Sequence, residues 1–134
     1  MNSFVIDANV AAKWYVEELG TKEAVAYRGQ RLIAPDLVLV EVANVLWRKL
    51  DRGEVELAQL TAALQSLPHA FDLLVPSPDL LARAVELAVQ VRHPVYDCLY
   101  LALAERAAVP LVTDDAKLLV KGAMAQVRVT ALRG

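Results

Sequence analysis

The sequence predicts an α/β fold: a three-layer α/β/α sandwich around a central, mostly parallel sheet of about five short strands. Two observations carry this. Short runs rich in Val, Ile and Leu, each bounded by Pro, Asp or Gly, recur along the chain and have the character of strands. Between them lie longer segments whose apolar residues repeat at helical spacing. Strands alternating with helices pair in parallel and are covered on both faces. At 134 residues, with no repeat, low-complexity stretch or linker, the chain is expected to form one domain over 1–134.

The elements follow in order. "FVIDA" (4–8) is the first strand, and its apolar run stops at Asp7. Helices near 10–18 and 21–29 lead to the second strand, "RLIAP" (31–35). Residues 36–51 form a long helix, closed by basic residues in its last turn and by Gly53 just beyond. A helix near 54–67 precedes the third strand, "FDLLVP" (71–76). In "SPDLLARAVELAVQV", Ser77 is expected to cap, Pro78 suits the first turn and Asp79 favours the positive end of a helix over 78–91. A helix over 95–108, the strand "VPLVTDD" (109–115), a helix near 115–122 and the strand "QVRVT" (126–130) complete the chain.

Composition limits the possibilities. The chain is 57% hydrophobic and 22% charged, which indicates an ordered globular protein. Its longest apolar run, "CLYLALA" (98–104), is far short of the ~18 residues that span a membrane. No basic segment followed by a long apolar run opens the sequence, so no secretory signal is expected. Cys98, the one cysteine, has apolar flanks; it is expected to be a small buried hydrophobe and suits a reducing cytoplasm. A net charge of −2 gives no overall attraction for nucleic acid, although a local basic patch can still hold phosphate.

Functional crevices of parallel α/β sheets lie beyond the carboxyl ends of the strands. Asp7 ends the first strand there, and Asp114 and Asp115 end the fourth. Glu41 shares a helical stripe with Asn44 and Arg48 in "PDLVLVEVANVLWRKL". It either pairs with Arg48, lies at an exposed edge or serves a cation, because a lone carboxylate among Val40, Val42, Val45 and Leu46 is costly. Asp97 stands in the first turn of a nearly continuous apolar helix that must be mostly buried; there the helix dipole favours an anion.

Each acid alone is an ordinary cap, turn former or ion-pair partner. Together they place four carboxylates on one edge of one sheet. Two carboxylates ~4 Å apart repel by roughly 4 kcal/mol at an effective dielectric near 20, and protonation or a divalent cation relieves this. Oxygen donors without a His or Cys cluster indicate Mg²⁺ or Mn²⁺ rather than zinc. His69 and His93 sit apart in sequence and read as surface or loop histidines.

The stretches "VIDANVAAKW", "APDLVLVEVANVLWRK" and "YDCLYLALAERAAVPLVTDD" resemble the motifs of PIN-domain ribonucleases, in particular VapC-type toxins of type II toxin–antitoxin systems. The resemblance runs nearly end to end. It implies a PIN-like sandwich whose acidic quartet binds Mg²⁺ or Mn²⁺ and hydrolyses phosphodiester bonds in RNA, inhibiting translation or growth. Position by position, it puts catalytic and metal-binding roles on Asp7, Glu41, Asp97 and Asp115. Asp115 follows the hydroxyl residue Thr113, with Asp114 in the variable slot, and the doublet leaves open which of the two is the direct ligand. Asn9 and Thr113 match supporting polar positions. Whether one or two metals are used stays open.

The same resemblance implies a cytoplasmic protein with an RNA substrate, a homodimeric state and a VapB-type antitoxin covering the active-site groove. Lys13, Arg48, Lys49, Arg92 and Lys117 are candidate phosphate contacts, each also readable as a solvated surface charge. Trp14, Trp47 and Tyr96 read as core or dimer contacts before base-stacking platforms. The alternatives are a non-catalytic PIN-like protein-binding module and a receiver-type phosphoacceptor. A receiver needs its acidic pair after the first strand and an acceptor Asp after the third, but here the doublet comes late and 71–76 ends in Val75-Pro76. A haloacid-dehalogenase-type phosphatase needs a second Asp where "DAN" has Asn9.

Overall fold

Five strands form one sheet in the order β3-β2-β1-β4-β5 in the computed structural model, which describes residues 2–134. They are β1 (Ser3–Ile6), β2 (Arg31–Pro35), β3 (Leu73–Val75), β4 (Leu111–Thr113) and β5 (Val129–Ala131). Every neighbouring pair is parallel, with Val5 facing Ile33 on one side and Leu111 on the other. The mostly parallel sheet expected from the sequence is parallel throughout the described residues.

The chain moves outward from β1 through β2 to β3, then crosses back to place β4 and β5 on the other side of β1. Right-handed crossovers therefore put α1 (Ala8–Ala11), α2 (Thr21–Val25), α3 (Leu37–Asp51) and α4 (Leu57–Ser66) on one face. They put α5 (Ser77–Val91), α6 (Val95–Ala107) and α7 (Ala116–Met124) on the other. The result is the α/β/α sandwich. Its topological switch point lies between β1 and β4, the place where a crevice opens beyond the strand ends.

The core sits on both faces of this sheet. Val5, Ile6, Leu32, Ile33, Leu111 and Val112 are buried from the sheet. In α6 every residue from Cys98 to Ala104 is buried, as the continuous apolar run requires. Burial pushes the Cys98 thiol up to about 11, helped by the nearby Asp97 charge, so the cysteine is an inert packing group. No helix among the described residues is long and apolar enough to cross a membrane.

Element boundaries differ from the sequence expectation where side chains or caps take over the backbone. The first helix does not span 10–18. It starts at Ala8, because Asp7 caps it, and tightens into a 3₁₀ turn at Ala12–Trp14. Beyond it, Thr21 Oγ1 donates to Val16 O (2.8 Å) and accepts from Glu18 N (3.0 Å), serving backbone groups that a longer helix would have paired. α4 starts at Leu57 rather than near 54 because the turn closing α3, with Gly53 at φ +73°, still holds Glu54 N on Lys49 O. β5 is likewise short of its expected start, since Val127 N bonds Gly122 O at the end of α7.

Ser77 is not the cap of α5. It is the first helical residue, behind Pro76, and its N–H and Oγ donate to Asp36 Oδ1 at 3.0 and 2.6 Å. A carboxylate from the end of β2 thus does the capping work.

Candidate active site

Asp7 follows the last residue of β1 and is the N-cap of α1, so one backbone position serves sheet and helix together. Its Oδ1 accepts from Ala8 N at 2.8 Å. Its Oδ2 accepts from Thr113 Oγ1 at 2.7 Å and from Asn9 Nδ2 at 3.2 Å. Thr113, the buried end of β4, also accepts from Asp115 N at 3.1 Å, while Asn9 Oδ1 accepts from Asp114 N at 3.1 Å. The switch point between β1 and β4 is therefore sewn together by two neutral polar side chains. They are Asn9 and Thr113, the two polar residues singled out in the sequence beside the acids.

Glu41, one turn into α3, accepts a 2.6 Å hydrogen bond from the buried Tyr100 hydroxyl of α6. The Arg48 pairing open at the level of sequence is not made; Tyr100 takes its place. Asp97 Oδ2 lies 2.8 Å from His93 Nε2. Asp115 caps α7 through Lys117 N (2.9 Å). These four acids, with Asn9, Asn44 and Arg48, line a single cleft of about 330 Å³ at the carboxyl edge of the sheet.

The cleft's electrostatics are those of crowded, partly dehydrated acids. Burial raises the Asp7 carboxyl to about 7, aided by the charges of Asp97 and Glu41 and opposed by the Thr113 and Ala8 hydrogen bonds. Glu41 is raised by burial and by Asp97, against the Tyr100 bond. Asp97 is raised by burial and by Asp115, against His93. Among the described residues no three His, Cys, Asp or Glu side chains are already drawn together as a metal-ligand group; each acid is instead turned to its own partner.

A family model described as PIN domain matches residues 4–123. The chain belongs to the PIN-domain family. It is 42% identical over 88 residues to "Ribonuclease VapC1" of Mycobacterium tuberculosis, an alignment covering 63% of each protein and so less than two thirds of that relative's length. It is 34% identical over 121 residues to "Ribonuclease VapC3" of Pyrobaculum aerophilum, covering 87% of this chain and 92% of the relative. The crystal structure of PAE2754 from Pyrobaculum aerophilum superposes with a TM-score of 0.75 at 24% identity, over 98% of this chain and 91% of that one. FitAcB from Neisseria gonorrhoeae superposes with a TM-score of 0.66 at 14% identity, over 96% and 97%. At these identities the structural likeness is one of fold.

Within this PIN domain the adjacent acids 114 and 115 go separate ways. Asp115 lines the cleft. Asp114 faces a mainly apolar hollow of about 730 Å³ beside α7, held by Arg133 at 3.0 and 3.1 Å and by Lys13 Nζ at 3.5 Å. That hollow is larger than the acid cleft, but Asp114 is its one acid and is already paired.

Two cleft neighbours are not evident from the sequence reading. His93 does lie in the loop before α6, as a loop histidine should, but its side chain is only 9% exposed and faces Asp97. Tyr100 hides in the apolar run of α6. The signal was present in their spacing: His93 is four residues before Asp97 and Tyr100 three after it, so near α6 they share a side with the acid.

The candidate cations also separate. Lys13 is not a solvated surface charge; it is buried, with Nζ on Leu19 O (2.9 Å) and Glu18 (3.2 Å). Lys49 pairs with the same Glu18 at 2.8 Å. Arg48, Arg92 and Lys117 are exposed. Of the aromatics, Trp14 packs against Phe71 as a core residue, whereas Trp47 and Tyr96 are 53% and 55% exposed and belong to the surface.

Proposed function

We propose that this PIN domain is a divalent-metal-dependent endoribonuclease that hydrolyses RNA phosphodiester bonds and acts in the cytoplasm as the toxin of a toxin–antitoxin pair. The observation that carries the reading is the convergence of Asp7, Glu41, Asp97 and Asp115 on one cleft at the switch point of the sheet. The ribonuclease names of the two relatives agree with it. Residues 1–134 act as one domain, and the VapC resemblance further supports a homodimer and a small antitoxin that covers the cleft.

The donor set fits a hard divalent cation. All four acids offer oxygen, no Cys or His cluster competes among the described residues, and Asp7 is buried with two other acids raising its pKa. Asp7, Asp97, Asp115 and Glu41 would hold Mg²⁺ or Mn²⁺. When bound, the cation supplies Lewis-acid chemistry, neutralising phosphate charge and making water a competent nucleophile near neutral pH.

The chain's own groups prepare this. Thr113 and Asn9 fix both the rotamer and the charge distribution of Asp7 through Oδ2. Tyr100 occupies Oε1 of Glu41, leaving Oε2 for the cleft. His93 holds Asp97 against the start of α6. Arg48, at the rim, supplies a positive charge for a phosphate entering the acidic cleft.

Labelled RNA incubated with the purified protein tests the proposal. Cleavage is expected with Mg²⁺ or Mn²⁺, and it should vanish with EDTA and in Asp7→Asn protein of unchanged circular dichroism. Equal cleavage by the Asp7→Asn protein, or cleavage indifferent to EDTA, would overturn it.

A further inference from the structure

Beside the acid cleft lies a second, smaller cavity of about 210 Å³, lined by Lys13, Glu18, Arg48, Lys49, Arg52 and the wall residues Asn9, Ala12 and Val45. Asn9, Val45 and Arg48 line both spaces, so the two share a wall. One space holds acids. The other is lined by four cations and one acid.

The cations are not equivalent. Glu18 is shared by Lys13 and Lys49, at 3.2 and 2.8 Å, and these two side chains are only 11% and 16% exposed. They form the floor of the cavity and are already occupied. Arg48 is exposed and has no ion pair among the described residues. Among the described residues Arg52 is held only by Glu54, at 3.2 Å, with side chains 61% and 49% exposed. A pair this exposed is weak and easily exchanged for another anion.

Their placement along the helix supplies the geometry. Glu41 and Arg48 share one stripe of α3, seven residues apart, and Arg52, the C-cap four residues further, still bonds its N–H to Arg48 O. At ~1.5 Å rise per residue, Arg48 stands about 10 Å along the axis from Glu41 and Arg52 about 6 Å further. A strand stacked at about 3.4 Å per nucleotide covers that interval in a few nucleotides. Guanidinium groups are suited to bidentate contact with phosphate oxygens.

We propose that Arg48 and Arg52 form a phosphate-binding site for the flank of a single RNA strand, which places the adjoining phosphodiester over the acids. This rests on the ribonuclease reading of the acid cleft. The site holds the strand through its backbone, so it adds affinity and register without base preference. The chain can bind a polyanion despite its negative net charge because Arg48 and the weakly held Arg52 are concentrated on one side of the cleft.

The test measures binding of a fluorescein-labelled single-stranded RNA to Asp7→Asn protein by anisotropy, across salt concentrations, with cleavage followed in parallel on proteins that retain Asp7. Adding Arg48→Gln and Arg52→Gln is expected to weaken binding at least tenfold and to make the slope of log K against log salt shallower by about 1.4, or ~0.7 per lost phosphate contact. Arg48→Lys with Arg52→Lys should restore most of the salt slope. Arg106→Gln, at the far end of α6, should leave both affinity and slope unchanged. Binding and slope unaltered in the double Gln variant, while Asp7-dependent cleavage persists, would overturn the phosphate site alone. Absence of any Asp7-dependent cleavage would overturn the ribonuclease reading and this site with it.

Discussion

Thr113 Oγ1 donates to Asp7 Oδ2 at 2.7 Å across 106 residues of sequence. The same oxygen accepts from Asp115 N at 3.1 Å, so one hydroxyl sets the positions of two cleft acids. Thr113→Val keeps the shape and removes both bonds. RNA cleavage is expected to fall about 10–100-fold, the usual cost of losing a partner that orients a ligand, with the fold retained. Thr113→Ser should recover most of the rate. Wild-type turnover in the Val variant would show that the hydroxyl has no part in placing the acids.

Asp7 makes the metal-free protein's stability depend on pH. The folded carboxyl titrates at about 7 against a reference of 3.8, so between those values the folded chain binds more protons than the unfolded one. Stability therefore falls as pH rises through that window, by at most about 1.4 kcal/mol per pH unit. Urea melts in EDTA from pH 4 to 8 should show this fall, and Asp7→Asn should reduce it. Glu41 and Asp97, also raised, leave a residual slope of the same sign. At pH 8, Mg²⁺ should raise the melting temperature of the native chain more than that of the variant. Parallel pH profiles for the two proteins would contradict the assignment.

Tyr100 acts on the cleft through Glu41 or not at all. Tyr100→Phe removes only the hydroxyl that donates to Glu41 at 2.6 Å. Cleavage should drop about 10–100-fold. In a Glu41→Gln background the same change should cost little further, because the two side chains form one unit. Fully multiplicative losses in the double variant would place Tyr100's effect elsewhere.

Gly122 tests the packing of α7 on the sheet edge. It is buried in that helix, and a Cβ there would collide with the Val129 side chain of β5. Gly122→Ala is expected to destabilise by about 1–3 kcal/mol, seen as a lower melting temperature. Adding Val129→Ala should return part of the loss. An undiminished melting temperature in the single variant would mean that α7 and β5 are looser than their contact implies.

The strands were legible because Pro, Asp and Gly bound short branched runs; Asp7, Asp97 and Asp115 stood out at a strand end or helix start, and Glu41 as a lone carboxylate among the apolar residues of α3. α6 was legible as buried because its apolar run leaves no polar face for solvent. What escaped were residues whose chemistry depends on a distant partner. Tyr100 looks like core until Glu41, 59 residues away, supplies an acceptor. Lys13 looks like a surface charge until Glu18, the Leu19 carbonyl and Asp114 enclose it. The doublet at 114 and 115 could not be divided from spacing alone, because what separates the two acids is Arg133.

β1 lies at the centre of the sheet, and Asp7 N–H is bonded to Val112 O at 3.1 Å on the strand beside it. The outer strands β3 and β5 carry none of the four cleft acids. Fraying that starts at either rim therefore meets Asp7 last. Amide exchange at Asp7 should then run at the rate of whole-chain opening, and heat should extinguish the cleft and the fold in one event.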